Sequence, residues 1–179
     1  MATFKARFPS REETWLTLSS ILFLINVWAI INILRAVPSW IISRTIWEMI
    51  GIISYPLTFA LFESILFLIG LIIMAVVLPR KILRENFVAM GSLAALLATL
   101  GMILAHIYGE DFGIWLVRDF GKYLFLLIGF VLVSWVSVYY FKRLAKTIES
   151  IVSRLTTLST VYLAVDILAV FVILIRNIK

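Results

Sequence analysis

The stretch IISYPLTFALFESILFLIGLIIMAVVL, residues 52–78, contains a single charged side chain, Glu63, among apolar neighbours. An α-helix needs about 20 consecutive apolar residues to cross the roughly 30 Å hydrocarbon core of a bilayer. This stretch meets that requirement, and the whole chain is 63% hydrophobic and only 15% charged. A soluble protein of such composition would expose large apolar patches and aggregate. We therefore predict an integral membrane protein, in which the carboxylate of Glu63 needs an explanation.

Four further apolar segments have the same character, which predicts an all-α, multi-pass bundle of five transmembrane helices in one domain, residues 1–179. The first segment contains Trp28, is longer than the apolar region of a signal peptide and lacks a cleavage site, so we expect it to be retained. The predicted spans are residues 15–34, 52–78, 87–108, 123–141 and 157–175.

The basic residues are divided unequally between the two sides of this predicted bundle. Ten of the 16 Lys and Arg residues fall in the N-terminal segment and the second and fourth loops, and six fall in the remaining segments. The positive-inside rule then predicts a cytoplasmic N-terminus and a C-terminus outside. Topology and lipid head groups thus account for the net charge of +6, so we expect the lipid bilayer as a partner and no nucleic acid.

The fourth loop has the pattern of an amphipathic helix. In KRLAKTIESIVSRLTTL, residues 142–158, apolar side chains recur at helical spacing on one face. We predict a cytoplasmic amphipathic helix between the fourth and fifth spans, which either lies on anionic lipid or docks a partner helix. The basic residues on its polar side are Lys142, Arg143, Lys146 and Arg154.

Small residues indicate how the helices pack. Burying leucine does not drive association in lipid, whereas close approach through small residues does. The third span carries a small-residue stripe, which predicts a position at the bundle centre or at a contact in a homo-oligomer or with other membrane subunits. The stripe consists of Gly91, Ala94, Ala95, Ala98, Gly101 and Ala105. In the second span Glu63 shares a side with Ala60 and Gly70, so we expect it to face another helix rather than lipid.

Four polar residues are predicted to lie near the middle of the membrane, on four different helices. They are Asn26, Glu63, Ser134 and Asp166. A charged carboxylate at this depth costs about 2.5–3.5 kcal/mol on insertion scales, and no Lys or Arg lies at the same level. One interpretation is a neutral Glu63 that donates a hydrogen bond to Asn26 or to a backbone carbonyl. The other is a proton- or cation-handling site formed by both acids, with Asn26 and Ser134 as neutral partners.

Catalytic and cofactor chemistry receives little support from the sequence. The chain has no cysteine and one histidine, His106, which excludes thiolate metal sites, iron–sulfur clusters and multi-histidine sites within one chain. We expect no metal and no cofactor. His106 is predicted near the outer end of the third span, as a structural residue or as a pH-sensing group at the mouth of a cavity. No motif for nucleophilic or metal-dependent catalysis is present, and the loops are too short for a soluble catalytic domain.

The leading functional interpretation is a small non-enzymatic membrane subunit or scaffold packed through the third helix. The alternative is a proton- or cation-coupled transporter or channel subunit that uses Glu63 and Asp166. A third interpretation is an enzyme acting on lipids near His106. A wet pocket around Glu63 would favour transport, whereas a dry core would favour the scaffold.

Overall fold

The computed structural model describes residues 8–78, 83–108 and 120–178, and within these ranges the chain is helical apart from short connections. Four of the helices are long and apolar enough to cross a membrane, so the chain has the architecture of a multi-pass membrane protein. In the fourth helix the apolar stretch found is the shorter Phe125–Tyr140. The helices are α1 (Arg11–Ser43), α2 (Ile46–Val77), α3 (Phe87–Tyr108), α4 (Phe120–Tyr140) and α5 (Lys142–Asn177).

Capping boxes set the beginnings of α1 and α2. The Ser10 hydroxyl accepts a hydrogen bond from the Glu13 backbone N–H, and the Glu13 carboxylate accepts one from the Ser10 N–H. Thr45 and Glu48 repeat this arrangement in front of α2. These reciprocal bonds satisfy backbone donors that the first helical turn leaves free.

The α1–α2 hairpin is longer than the sequence indicated. Pro38 lies inside α1, which stays helical as far as Ser43, and only Arg44 and Thr45 separate it from α2. A proline removes one backbone hydrogen bond, a loss that helices in a membrane environment tolerate. With 33 residues, α1 is about 50 Å long at 1.5 Å per residue. The 22 residues of α3 span only about 33 Å.

α5 is one continuous helix that combines the predicted amphipathic segment with the last apolar segment. Residues 142–177 contain no glycine or proline that would interrupt a helix, and only Phe141 separates α5 from α4. Ala145 and Val152 are buried against the other helices. The apolar side of the amphipathic segment is thus covered by protein only in part, since Ile151 is 52% exposed, and Arg143, Lys146 and Arg154 remain exposed.

Contacts along α1 show how the helices are oriented. Ile33 of α1 belongs to a cluster with Leu57 of α2, whereas Ile21 belongs to a cluster with Leu71, so α1 and α2 are antiparallel. α3 runs parallel to α1, because the hydroxyls of Ser20 and Ser92 are 2.8 Å apart and, further along both helices, the rings of Trp28 and His106 are in contact. α5 also runs parallel to α1, because Ser159 contacts Ser19 and Asp166 contacts Asn26. The beginnings of α1, α3 and α5 therefore lie at one end of the bundle, which we call the basic end.

An ion pair joins two chain segments at the basic end. The Arg84 guanidinium donates to Glu13 Oε1 across 2.7 Å and so connects the first turn of α1 to the segment before α3. Burial raises the pKa of Glu13, but hydrogen bonds from the Ser10 N–H and from Arg84 outweigh it and hold the pKa below its usual 4.5. Glu13 precedes the predicted first span, so this pair lies outside the apolar part of the bundle.

Candidate functional site

A buried polar pair joins α1 to α5. Asn26 Nδ2 donates a hydrogen bond to Asp166 Oδ2 over 2.9 Å, and both side chains are 0% exposed. The two residues lie 140 positions apart in the chain, and the packing of α1 against α5 brings them together. Two of the four polar residues predicted at one depth are therefore in contact.

A second polar contact between α1 and α5 lies nearer the basic end. The Ser159 hydroxyl lies 2.6 Å from the Ser19 carbonyl oxygen, again at a separation of 140 residues. Asn26 lies seven residues after Ser19, and Asp166 lies seven residues after Ser159. The two bonds therefore lie on one seam between parallel helices. The rings of Phe23 and Tyr162, with centroids 6.2 Å apart, pack between the two bonds. We call this set of contacts the α1–α5 seam.

The pair leaves two acceptor atoms without a partner. Asn26 Oδ1 and Asp166 Oδ1 are both buried and neither has a hydrogen bond within the described part of the chain. An unpaired buried polar atom costs about 1–3 kcal/mol, and more if the group is charged. These two oxygens are therefore the strongest sign of unexplained chemistry in the bundle.

Glu63 lies on the other side of α2. Its side chain is exposed, among the exposed apolar residues Phe59, Phe62 and Leu66. The buried side of α2 includes Ser64, one residue further along. Each residue turns a helix by 100°, so Ala60 can be buried while Glu63, three positions on, lies at the edge of the outer face. No helix within the described part of the chain covers Glu63, so the expectation that it faces another helix stays a prediction.

Ser134 and His106 also lie apart from the Asn26–Asp166 pair. Ser134 is buried, and its hydroxyl donates to the Phe130 carbonyl of its own helix over 2.7 Å. His106 is exposed and meets the ring of Trp28 edge-on, with centroids 5.6 Å apart. Trp28 is followed by 15 more residues of α1, so His106 lies beside the middle of that helix. Glu110 and Asp111, which follow α3 in the sequence, lie outside the described residues.

The small-residue stripe of α3 packs inside the bundle over its first half. A Cβ on Gly91 would approach Thr17 Cγ2 to 2.7 Å, and Ala94 and Ala95 are buried. Ala98 is half-buried, and a Cβ on Gly101 would meet the ring of Phe130 at 3.4 Å. The side chains of Ala105 and Lys142 lie outside the described part of the structure.

The cavities found do not reach the polar pair. A groove of about 260 Å³ opens between α1, α3 and α5, with apolar residues and the Ser20–Ser92 contact in its lining. A second groove lies beside the first turns of α1. Among the described residues, no group of three or more His, Asp or Glu side chains is arranged to hold a metal ion.

The serines of the seam were missed in the sequence, although a signal was present. Ser19 and Asn26 are seven residues apart, and so are Ser159 and Asp166. This shared heptad spacing points to a polar stripe on each helix. Depth alone, counted from the ends of the apolar runs, identifies Asn26, Glu63, Ser134 and Asp166 but neither serine of the seam.

Comparison with known protein families, with curated proteins and with solved structures finds no match to this chain. Its function is therefore argued from the chemistry of its own residues.

Proposed function

We propose that this chain is a non-enzymatic subunit of a membrane assembly and that the outer face of α2 docks a transmembrane helix of a second protein. The observation that carries the proposal is the exposed carboxylate of Glu63 on an otherwise apolar face. We call this surface the Glu63 face. It consists of Phe59, Phe62, Glu63, Leu66, Ile69 and Ile73, all exposed in the isolated chain.

Charge complementarity selects the occupant of the Glu63 face. A carboxylate in contact with lipid tails near the middle of the membrane is costly, and acids in spans normally pair with another polar group. A helix that presents Lys or Arg at that depth would supply both a counter-charge and a donor. A second copy of this chain would not, because no Lys or Arg lies between Arg44 and Arg80 or at mid-span on the other helices.

The position of the α3 stripe supports a docking surface on α2. The first half of the α3 stripe already contacts α1, so it is not free to bind a partner. The proposed subunit therefore need not bind its partner through α3. α2 supplies a longer unpartnered face, and its only ionisable residue between Tyr55 and Val77 lies on that face.

A five-span topology with a cytoplasmic N-terminus belongs to the same proposal. The helices alternate in direction, so the basic end carries the N-terminal segment and the second and fourth loops, which hold ten of the 16 Lys and Arg residues. The first half of α5 then places its exposed basic side chains near the lipid head groups of the inner leaflet.

Transport through a joint Glu63–Asp166 site draws less support from the same residues. Asp166 bonds to Asn26, while Glu63 is exposed on the outer face of α2. A proton or cation could pass between the two acids only if α2 rotated or if a second protein completed the path.

A designed peptide tests the proposed docking directly. We would reconstitute the labelled protein in vesicles with a labelled transmembrane polyleucine peptide that carries one central lysine, and measure energy transfer between them. The control is the same peptide without the lysine. We expect the lysine peptide to bind about tenfold more tightly to the wild type than to Glu63→Gln, since polar contacts between such helices contribute about 1–2 kcal/mol.

Two outcomes would overturn the proposal. Equal binding of both peptides, or binding that Glu63→Gln leaves unchanged, would show that Glu63 recruits no basic helix. Self-association of the wild type that Glu63→Gln abolishes would identify a second copy of the chain as the occupant instead.

A further inference from the structure

We propose that Asn26 and Asp166 form a cyclic acid–amide pair that binds one proton between Asp166 Oδ1 and Asn26 Oδ1 and thereby closes α1 against α5. The pair is distinct from the Glu63 face. It gives the bundle a proton-binding site whose ligands come from two helices far apart in the chain.

The numbers of hydrogen-bond donors and acceptors in the Asn26–Asp166 pair indicate a bound proton. An ionised carboxylate only accepts hydrogen bonds, whereas a carboxylic acid has one O–H to donate. In the structure Asn26 Nδ2 bonds to Asp166 Oδ2, and the other oxygen of each group has no partner. A proton on Asp166 Oδ1 that is donated to Asn26 Oδ1 satisfies both atoms at once. An amide and a carboxylic acid that share one plane form two such bonds side by side, one donated by each group.

Within the described residues, no basic side chain on the two helices that hold the pair lies close enough to supply a counter-charge. On α1 the nearest basic residue to Asn26 is Arg35, and on α5 the nearest to Asp166 are Arg154 and Arg176. Each lies at least nine residues away, which is about 13 Å or more along a helix. A fully buried carboxylate without such a partner is strongly disfavoured relative to its neutral form.

The remaining ionisable groups on the neighbouring helices do not compensate for a charge at Asp166. Glu63 of α2 is exposed and would add a charge of the same sign. His106 of α3 packs edge-on against Trp28. Tyr162 lies one turn before Asp166 on α5, with its ring against Phe23. The bound proton is therefore the simplest cation that fits the two free oxygens.

Infrared spectroscopy of the reconstituted protein tests the proposal. We would compare Glu63→Gln with Glu63→Gln/Asp166→Asn at neutral pH, so that the difference spectrum reports Asp166 alone. We expect the C=O stretch of a protonated, hydrogen-bonded carboxylic acid, shifted in heavy water and lost in the double variant. Asn26→Leu in the same background should move that band toward the frequency of a free acid.

A stability measurement keeps the test valid if one variant folds poorly. Asp166→Asn can form an amide–amide pair with two hydrogen bonds, so we expect it to unfold at nearly the wild-type denaturant concentration, whereas Asp166→Leu should unfold earlier. A carboxylate difference band in place of the acid band would overturn the proposal, and a dependence of that band on Na⁺ or K⁺ would show that the site binds a metal cation. Equal destabilisation by Asp166→Asn and Asp166→Leu would also overturn it.

Discussion

Gly91 marks a close approach between α1 and α3. A Cβ at this position would lie 2.7 Å from Thr17 Cγ2 and 3.3 Å from Leu71 Cδ1, so the glycine leaves space that its neighbours occupy. Gly129 of α4 is different, because a Cβ there would have no atom within 4 Å. The two glycines form a matched pair that separates close packing from intrinsic helix propensity.

We expect Gly91→Ala to lower the free energy of unfolding by about 1–3 kcal/mol, because overpacking forces α1 and α3 apart. Gly129→Ala should leave it unchanged or raise it by up to about 1 kcal/mol, since alanine favours the helix. The measurement is denaturant unfolding in mixed micelles. Thr17→Ser removes the clashing methyl group and should restore part of the loss. Equal effects of the two glycine substitutions would contradict a close contact at Gly91.

Single residues also show why the depth of a side chain in the membrane could be predicted from the sequence, whereas the side of the helix on which it lies could not. Counting along an apolar run places Asn26 and Asp166 at one level to within a turn, which suffices because each side chain spans several ångströms. The side of a helix changes by 100° per residue, so a small error in the assumed buried direction moves Glu63 from the interior to the outer face. Ala60 and Gly70 suggested a packing face centred near Glu63, whereas the buried face of α2 is centred nearer to Ser64.

At the level of helices, contacts along the α1–α5 seam and beyond it accompany the continuity of α5 across its amphipathic and apolar halves. Ser159 and Asp166 contact α1 one heptad apart, and Ala145 and Val152 continue the buried side toward the basic end. Hydropathy predicted where apolar runs begin and end. It could not show that residues 142–156 and 157–175 share one helix, because a change from amphipathic to apolar composition interrupts no backbone hydrogen bond.

We expect Ser159→Ala to destabilise the protein by about 0.5–1 kcal/mol, because it removes one interhelical bond while the Ser19 carbonyl keeps its place in α1. Ser153→Ala is the matched control. Its hydroxyl bonds to Ser150 in its own helix on the exposed side, so its loss should change stability by less than about 0.5 kcal/mol. The measurement is again unfolding in mixed micelles, and indistinguishable effects would show that the seam contributes nothing at Ser159.

At the level of the whole molecule, three helices begin at the basic end. The Glu13–Arg84 ion pair places the beginnings of α1 and α3 there, and the contacts along the α1–α5 seam place the beginning of α5 there. α1 begins there, α3 begins there after residue 83, and α5 begins there at Lys142. Both ends of the bundle offer exposed positions for labelling. The chain contains no cysteine, so each introduced thiol reports one site.

We expect Glu12→Cys and Glu149→Cys to react with a membrane-impermeant maleimide from one side only, and Arg44→Cys and Asn177→Cys from the opposite side. The positive-inside distribution further predicts that the second pair reacts on intact cells. Labelling of sealed and permeabilised cells measures both. Reaction of Glu12→Cys and Glu149→Cys from opposite sides would contradict the alternating arrangement.

The unequal lengths of α1 and α3 have a consequence for how the helices tilt in bilayers of different thickness. The α1–α2 hairpin extends past the end of α3, and its tip carries exposed apolar side chains, of which Ile42 is 90% and Ile46 79% exposed. A thin bilayer would leave this tip in water or force the hairpin to tilt, while a thicker one would match it. Because α3 and the apolar stretch of α4 are shorter than this hairpin, a change in bilayer thickness should alter the tilt of α1 and α2 relative to α3 and α4.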